Sequence, residues 1–280
     1  MIPVIISMKS LKKIIFSVAL SFTFSVAALA QTTELGVNAG AAGYIGDINP
    51  TNLFKPAGVA FGAYIKRNFN PYWAVGIHYN YGKIKGNDAN SDDLSLKTRN
   101  LNFSTSLNEL SLQVDFNFLD YFSGGGRKNF SPYIFAGVGG VLFNPKATYN
   151  GETFELRYYE TEGKKYRNYA MSIPYGIGMK YRIGERLGLF TQLGYRTAKT
   201  DYLDDVGERY PSIPVISGSS SKNPGGVNLS DPSLPRYPND PDRPNFTPGG
   251  QRGNFVKNDT YFFVHIGLSY TFTSDKCYSF

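Results

Sequence analysis

The sequence predicts an all-β fold, an eight-stranded antiparallel transmembrane β-barrel with long extracellular loops. The first observation is the high aromatic content, with 21 Tyr and 21 Phe against one Trp. The second is a set of eight segments, each about 10 residues long, in which apolar side chains alternate with small or polar ones. The third is that short and long connections alternate between these segments. Membrane-spanning barrels combine these features, because one row of each strand faces lipid and aromatic girdles flank the apolar band.

The amino terminus has the pattern of a secretory signal peptide. Lysines precede an apolar run from Ile14 to Leu29, and the small residue Ala30 follows it. The run is shorter than the roughly 20 apolar residues of a membrane-spanning helix, and it ends in a cleavage pattern. We therefore expect residues 1–30 to be removed on export and residues 31–280 to form an outer-membrane barrel.

Charge and cysteine content exclude several classes of protein. Without the signal peptide the formal net charge is about +4, which is too small to favour nucleic-acid binding. Cys277 is the single cysteine, so the chain has neither a disulfide framework nor a cysteine-based metal site. We expect no cofactor and no small-molecule substrate.

Eight segments carry the period-2 alternation. The last is the clearest, because Val264, Ile266 and Leu268 alternate with His265 and Gly267. The eight predicted strands cover residues 35–45, 56–67, 72–82, 109–118, 131–143, 173–182, 187–199 and 262–272.

The segment 131–143 fits the alternation least well. Gly137 and Gly139 share a face with aromatic residues, and if that face points to lipid, Val138 and Leu142 fall inside. Glycines within strands often mark a bulge. We therefore expect a β-bulge near these glycines.

The connections support the strand count. If the amino terminus lies in the periplasm, the long connections are extracellular and the short ones periplasmic, as in outer-membrane barrels. The long connections cover residues 46–55, 84–98, 144–167 and 200–257. The short ones cover 68–71 and 183–186, and 119–130 is intermediate. Residues 211–252 are rich in Pro, Gly, Ser and Asn, which predicts a loop without a packed core of its own.

A secreted β-sandwich is the soluble alternative. Its strands also alternate, but a sandwich buries its aromatic residues on one inner face and leaves the outer face polar. Here an apolar row runs along all eight predicted strands, and the opposite row carries glycines and charges. This distribution favours the membrane barrel.

We interpret the polar inner row as a plug of hydrogen bonds and ion pairs. An eight-stranded barrel has a lumen that side chains can fill, and buried charges need partners. A second interpretation stays open, in which a histidine beside a carboxylate activates a hydroxyl in a lipid-modifying barrel. No motif supports it, so we assign no catalytic residue. The predicted inner set is Lys66, His78, Glu109, Gln113, Asp115, Lys180, Arg182, Arg196 and His265.

An acidic group follows the seventh predicted strand. Its members are Asp201, Asp204, Asp205 and Glu208. Carboxylate oxygens are suitable ligands for a divalent cation, but the spacing is not that of a known calcium loop. The spacing favours a loop cap without a metal, so we assign no metal site.

Several short strings resemble a known family when taken together and in order. They lie at residues 46–50, 143–147, 161–163, 173–181, 200–206 and 252–254. From about Glu34 to its end, the chain resembles the PorG-like outer-membrane barrels of the type IX secretion system. The resemblance implies a small non-catalytic barrel that docks a periplasmic ring of lipoprotein and partner subunits to the outer membrane. It further implies a role in protein secretion and, in some members, in gliding.

A filled barrel presents its turns and loops as working surfaces. The candidate docking turns run from Phe69 to Tyr72, from Leu119 to Phe130 and from Gly184 to Leu187. Two other functions stay open. One is a structural or small-solute barrel of the OmpA or OmpW type, and the other, less favoured, is a lipid-modifying outer-membrane enzyme.

Overall fold

The computed structural model describes residues 32–48, 56–121, 127–211, 229–233, 249–253 and 258–272. The predicted signal peptide, Cys277 and most of the predicted loop 211–252 lie outside these residues. Within the described ranges, no helix has the length and apolar character needed to cross a membrane.

The described strands form one antiparallel sheet. They are β1 (Thr32–Ile45), β2 (Pro56–Asn68), β3 (Trp73–Asn87), β4 (Asn102–Asn117), β5 (Phe130–Tyr149), β6 (Glu152–Glu155), β7 (Tyr169–Arg182), β8 (Leu187–Ala198) and β9 (Thr260–Phe272). Short helical turns at Asp88–Asn90 and Leu156–Tyr158 and the helix α1 (Leu94–Arg99) lie in the connections.

The sheet closes on itself. β1 pairs with β9 from Thr33↔Phe272 to Ile45↔Thr260, and the pairing of β4 with β5 completes the ring. β6 only extends β5 as a hairpin. The eight long strands therefore form a closed antiparallel barrel with no free edge, which confirms the predicted fold class.

The two ends of the barrel differ. The connections 69–72 and 183–186 and the described residues 118–121 and 127–129 lie at one end, together with the start of β1 and the end of β9. We call this the short-turn end and the opposite one the long-loop end. At the long-loop end β3 and β4 continue beyond their predicted bounds, because their backbones go on pairing through Asn87↔Asn102.

Side chains sort by strand position. Val37, Leu110 and Ile177 point outward and are 62, 59 and 58% exposed. Glu109 and Gln113 point inward and are fully buried. The outside is therefore apolar and the inside polar, the reverse of a water-soluble protein and the arrangement expected for a barrel surrounded by lipid.

In β5 the side chains face the opposite way from the prediction. Val138 and Leu142 point outward, 49 and 54% exposed, whereas Tyr133 and Phe135 are buried inside. The expected bulge is absent as well, because β5 pairs with β4 in one unbroken register over its central residues.

Glycines on β7 and β8 explain this facing. A Cβ atom on Gly178 would lie 2.4 Å from the ring of Tyr133, and one on Gly194 would lie 2.6 Å from the ring of Phe135. The two aromatic rings thus fill space that these glycines leave open inside the barrel. Local alternation within β5 gives no sign of this fit, because the matching residues lie on other strands.

Gly178→Ala should destabilise the barrel by about 1–3 kcal/mol, because the added methyl overpacks the interior against Tyr133 and the backbone oxygen of Thr191. The control is Gly140→Ala, since a Cβ there would come no closer than 3.9 Å to the backbone oxygen of Ala170. Urea unfolding of the two variants in lipid or detergent measures the difference. Equal unfolding midpoints for Gly178→Ala and the unmodified protein would contradict this packing.

Candidate functional site

The lower part of the lumen, toward the short-turn end, is organised around Asp115. Lys66 Nζ donates to Asp115 Oδ2 at 2.6 Å, and Lys180 Nζ donates to the same oxygen at 2.9 Å. Glu34 accepts hydrogen bonds from Tyr64 at 2.6 Å and from Asn68, and Lys66 Nζ stands 4.3 Å from the ring centroid of the same Tyr64. Two acids and two lysines thus lie in one buried cluster with equal numbers of positive and negative charges, as buried charges require.

The middle of the lumen is organised around Glu109. Tyr261 Oη donates to Glu109 Oε2 at 2.5 Å, and Ser172 Oγ donates to the same oxygen at 3.0 Å. Arg196 Nε lies 3.5 Å from Glu109 Oε2, and its guanidinium stands 4.5 Å from the ring centroid of Phe263. This layer again pairs one acid with one base.

The two histidines lie inside the barrel rather than toward lipid. His78 is 4% exposed and stacks on Tyr64, and His265 is 2% exposed and packs on Phe263. Neither Nε2 atom has a hydrogen-bond partner among the described residues. This geometry does not favour attack on a lipid outside the wall.

Eight of the nine predicted inner residues are buried in the lumen. The exception is Arg182, which lies at the rim and donates to Asn129 Oδ1 at 2.5 Å, so its assignment to the plug was wrong. Arg182 is the last residue of β7 and lies beyond the part of the lumen that side chains fill. Glu34 was missed because it lies one residue before the predicted start of its strand.

The long-loop end carries a packed cover over the barrel mouth. We call it the mouth cap and define it as residues 46–48, 88–101, 156–166, 199–210, 229–233 and 249–253. Its residues Leu101, Leu203 and Val206 are buried in one hydrophobic cluster with Phe103 of the barrel rim. Hydrophobic packing therefore continues from the barrel into the cap.

Arg99 joins three of the loops. Its guanidinium binds both carboxylate oxygens of Asp88, at 2.7 and 2.9 Å. It also donates to the backbone oxygens of Asp47 and Arg252. Planar bidentate pairing of this kind fixes both distance and orientation.

Arg252 joins the other side of the mouth cap and is almost fully buried. It donates to Glu162 Oε1 at 3.0 Å and to the backbone oxygen of Asp205, whose carboxylate lies 3.6 Å from it. Asp205 also accepts hydrogen bonds from Thr161 and Tyr166, each at 2.5 Å. Leu229 packs into the cap as well, against Leu156 and Phe154 of another loop, so the described part of 211–252 contributes to a core that other segments share.

The acidic group does not converge on one point. Asp204 accepts from Tyr44 Oη and from the backbone of Val206. Asp205 faces Arg252, and Glu208 forms an exposed pair with Lys164. In the described parts of the chain, no set of three or more acidic, histidine or cysteine side chains could hold a metal ion.

Burial shifts the protonation of these carboxyl groups. It raises the pKa of Asp205 to about 6, although Arg252 opposes the shift. Burial, with Asp47 and other acids nearby, raises the pKa of Asp201 to about 7. Asp204 and Asp259 are also shifted, since burial raises the pKa of each well above its usual value.

Four of the six strings that resemble secretion-system barrels meet in this cap, and the other two, 143–147 and 173–181, lie in β5 and β7. Asp47, Glu162, Asp205 and Arg252 come from four of those strings and lie in contacting loops. At the opposite end of the barrel, the candidate docking turns expose Phe69 and other large apolar side chains. Residues 122–126 of the middle turn are outside the described residues.

Arg252→Met should loosen the mouth cap by about 3–5 kcal/mol, because Glu162 and Asp205 stay buried without their counter-charge. Limited proteolysis of the folded protein should then cut the cap while the barrel strands stay protected. Lys164→Met is the control, since its exposed pair with Glu208 contributes at most about 1 kcal/mol. Equal cleavage rates for the two variants would show that Arg252 does not hold the cap.

The mouth cap should also loosen as the pH rises. A carboxyl group with a raised pKa binds its proton more tightly in the folded cap than in the open one. The stability from Asp201 and Asp205 is therefore complete below about pH 4 and is lost as the pH rises through about 6 to 7. Amide hydrogen exchange at Leu203 and Val206, corrected for intrinsic rates, should show falling protection across this range.

Asp201→Asn tests the sign of this effect. The neutral amide removes the cost of charging, so protection at pH 8 should rise about tenfold, after allowance for solvent screening, and protection below pH 4 should not change. Asp92→Asn, at an exposed position of the same cap, is the matched control. An unchanged pH profile in Asp201→Asn would refute the assignment to Asp201.

No curated protein matches the sequence. Among solved structures, the attachment invasion locus protein Ail of Yersinia pestis is similar, with 10% identity, a TM-score of 0.40, and coverage of 87% of this chain and 100% of that chain. OprG of Pseudomonas aeruginosa has 10% identity and a TM-score of 0.40, over 88% of this chain and 97% of that chain. Neisserial surface protein A has 10% identity and a TM-score of 0.37, over 87 and 98%. These similarities are too low to bear on function.

A family model described as a domain of unknown function, DUF6089, matches residues 12–213. The match covers more than half of the chain and takes in β1 to β8. The chain therefore belongs to the DUF6089 family.

Proposed function

We propose that this protein is a non-catalytic barrel of the outer membrane that anchors a periplasmic ring of the type IX secretion machinery. The observation that carries the proposal is the filled lumen beneath the mouth cap, which leaves the outer surfaces of the barrel as its working surfaces. The long loops face the cell exterior, and the short turns face the periplasm.

The outward row supports the membrane location. Exposed apolar side chains such as Val37, Leu110 and Ile177 surround the barrel. Soluble monomers rarely expose contiguous apolar patches beyond a few hundred Å², whereas a lipid-facing band about 25 Å tall is the rule in outer-membrane barrels. Aromatic residues at its lower edge, such as Trp73 and Phe118, suit the boundary between hydrocarbon and water.

The inward row disfavours a solute conduit and a lipid-modifying enzyme. A solute conduit needs an open path, but the clusters around Asp115 and Glu109 occupy the lumen at two levels and the mouth cap covers it above. A lipid-modifying enzyme needs its reactive groups on the lipid side, but His78 and His265 point inward. Anchoring requires neither an open path through the lumen nor reactive groups on the lipid side.

The secretion role itself rests on the resemblance to PorG-like barrels. Four of the six strings that carry it assemble in the mouth cap, where they account for closure of the mouth rather than for ring binding. In the orientation proposed here, the short turns face the periplasm, so periplasmic partners would dock there. Gly184 marks one such turn, and a Cβ there would have no atom within 4 Å.

Gly184→Trp should block docking by steric bulk without disturbing the barrel, because open space surrounds this position. We expect normal amounts of folded barrel in the membrane, loss of periplasmic partners in a pull-down, and a secreted proteome depleted as in the gene deletion. The control is Asp92→Trp, an exposed position at the long-loop end, which should behave like the unmodified protein.

Two outcomes would contradict the proposal at different levels. An unchanged secreted proteome after deletion of the gene would remove the role in secretion. Unchanged partner recovery with Gly184→Trp would remove this turn from the interface. Altered lipid masses in the deletion strain would instead support an enzyme.

A further inference from the structure

Basic side chains follow the apolar band on the outward face of the barrel. Lys83 and Lys85 occupy outward positions of β3 near the long-loop end. Arg167 stands two residues before β7, and Lys199 directly follows β8. We call these four residues the basic collar. Each lies beyond the last exposed apolar side chains of its strand.

The height of the collar corresponds to the headgroup layer of a bilayer. Lys83 and Lys85 lie two and four residues beyond Tyr81, and Lys199 lies four residues beyond Tyr195. In strands tilted by about 40°, two residues rise by about 5 Å along the barrel axis. The collar is thus about 5–10 Å above the level of Tyr81 and Tyr195 at the edge of the apolar band, where the polar headgroups of a lipid leaflet begin.

The collar cations are available to a ligand. None of the four pairs with a carboxylate of the described residues. Lys146 also points outward from β5, but it pairs with Glu155 at 2.6 Å, so we leave it out. Lys85, Arg167 and Lys199 are exposed, and Arg167 holds its guanidinium 5.6 Å from the ring centroid of Tyr169.

Three acidic side chains at this level lie on the inner side of the barrel wall. Asp88, Asp204 and Asp259 are buried within the barrel mouth, at most 2% exposed. On the outward face at this level, Glu155 is neutralised by Lys146, whereas the four collar cations have no such carboxylate partner among the described residues. An anionic group in the membrane would therefore meet unpaired cations there.

The collar covers two sides of the barrel. One pair of cations lies on β3 and the other on the ends of β7 and β8, separated by β4 and β5. On the remaining side, Ile45 of β1 and Thr260 of β9 occupy the corresponding level. Two separate anionic molecules could therefore be bound on opposite faces.

We propose that the basic collar binds the phosphate groups of lipopolysaccharide in the outer leaflet. The inference rests on the proposed function, because only an outer-membrane barrel with its long loops outward places the collar in that leaflet. Lipopolysaccharide carries phosphates at the boundary of its acyl chains, at the height of the collar. Each Lys or Arg beside an anionic membrane surface contributes about fivefold in affinity at moderate ionic strength.

Binding of a purified lipopolysaccharide with two phosphates on its lipid A tests the proposal, with the exported protein in a nonionic detergent. The collar variant is Lys83→Gln, Lys85→Gln, Arg167→Gln and Lys199→Gln. The matched control neutralises three lysines and one arginine that lie outside the collar. Its substitutions are Lys97→Gln, Arg127→Gln, Lys164→Gln and Lys165→Gln, all at exposed positions. Slower migration after boiling than before verifies that each variant is a folded barrel.

We expect the collar variant to bind lipopolysaccharide about 10- to 100-fold more weakly than the unmodified protein, and the control variant to bind as tightly as the unmodified protein. Enzymatically dephosphorylated lipopolysaccharide should bind the unmodified protein as weakly as the collar variant binds the intact lipid. If the fourfold variant does not fold, the double variants on β3 and on β7 and β8 should each weaken binding on their own side of the barrel by about 5- to 25-fold and leave the other side unchanged.

Equal affinity of the collar and control variants would overturn the proposal. So would equally tight binding of phosphatidylglycerol by the unmodified protein, because this result would mean a general attraction to anionic headgroups. Failure of the proposed function looks different, since a chain that stays soluble without detergent, or one that migrates identically whether boiled or not, is no membrane barrel at all.

Discussion

The pairing of β1 with β9 is the constraint on which the rest of the structure depends. Lipid offers no hydrogen bonds, so every backbone N–H and C=O group in the apolar band must be satisfied within the chain. Thirteen consecutive residue pairs, from Thr33↔Phe272 to Ile45↔Thr260, close the ring. Closure also gives each side chain one of two environments, because alternate residues then face either lipid or lumen.

Closure fixes the volume of the lumen, and the inner row must fill it. Aromatic rings take the space left by glycines, as Tyr133 does beside Gly178. Acids and bases take the rest as compact clusters, because a buried charge without a partner costs several kcal/mol. Asp115 illustrates the balance, since it accepts from both Lys66 and Lys180. Removing either lysine would leave this cluster with one more acid than bases, so its charged residues form one coupled unit.

The strands and most of the inner set could be predicted from the sequence, because alternation is a local signal. It fails in β5, where bulky residues occupy both rows. Tyr133 and Val138 could then face either way until the glycines on other strands decide the matter. The mouth cap was beyond prediction for the same reason. Arg252 meets Glu162 across 90 residues of sequence, and neither residue belongs to a repeating pattern.

The buried acids of the long-loop end are held by hydrogen bonds within the mouth cap. A carboxylate inside the mouth cap gains hydrogen bonds from loops that it holds together, as Asp88 does with Arg99 and the backbone of Leu101. An unpaired acid on the outward face at this height would be repelled by anionic headgroups, and Glu155, which lies there, is paired with Lys146. Bases have the opposite preference, since their long stems lie along the apolar wall while the charged ends reach the headgroups. An anionic boundary at this height would therefore favour unpaired bases over unpaired acids on the outward face, whereas inside the mouth cap acids and bases are retained as pairs such as Asp88 with Arg99.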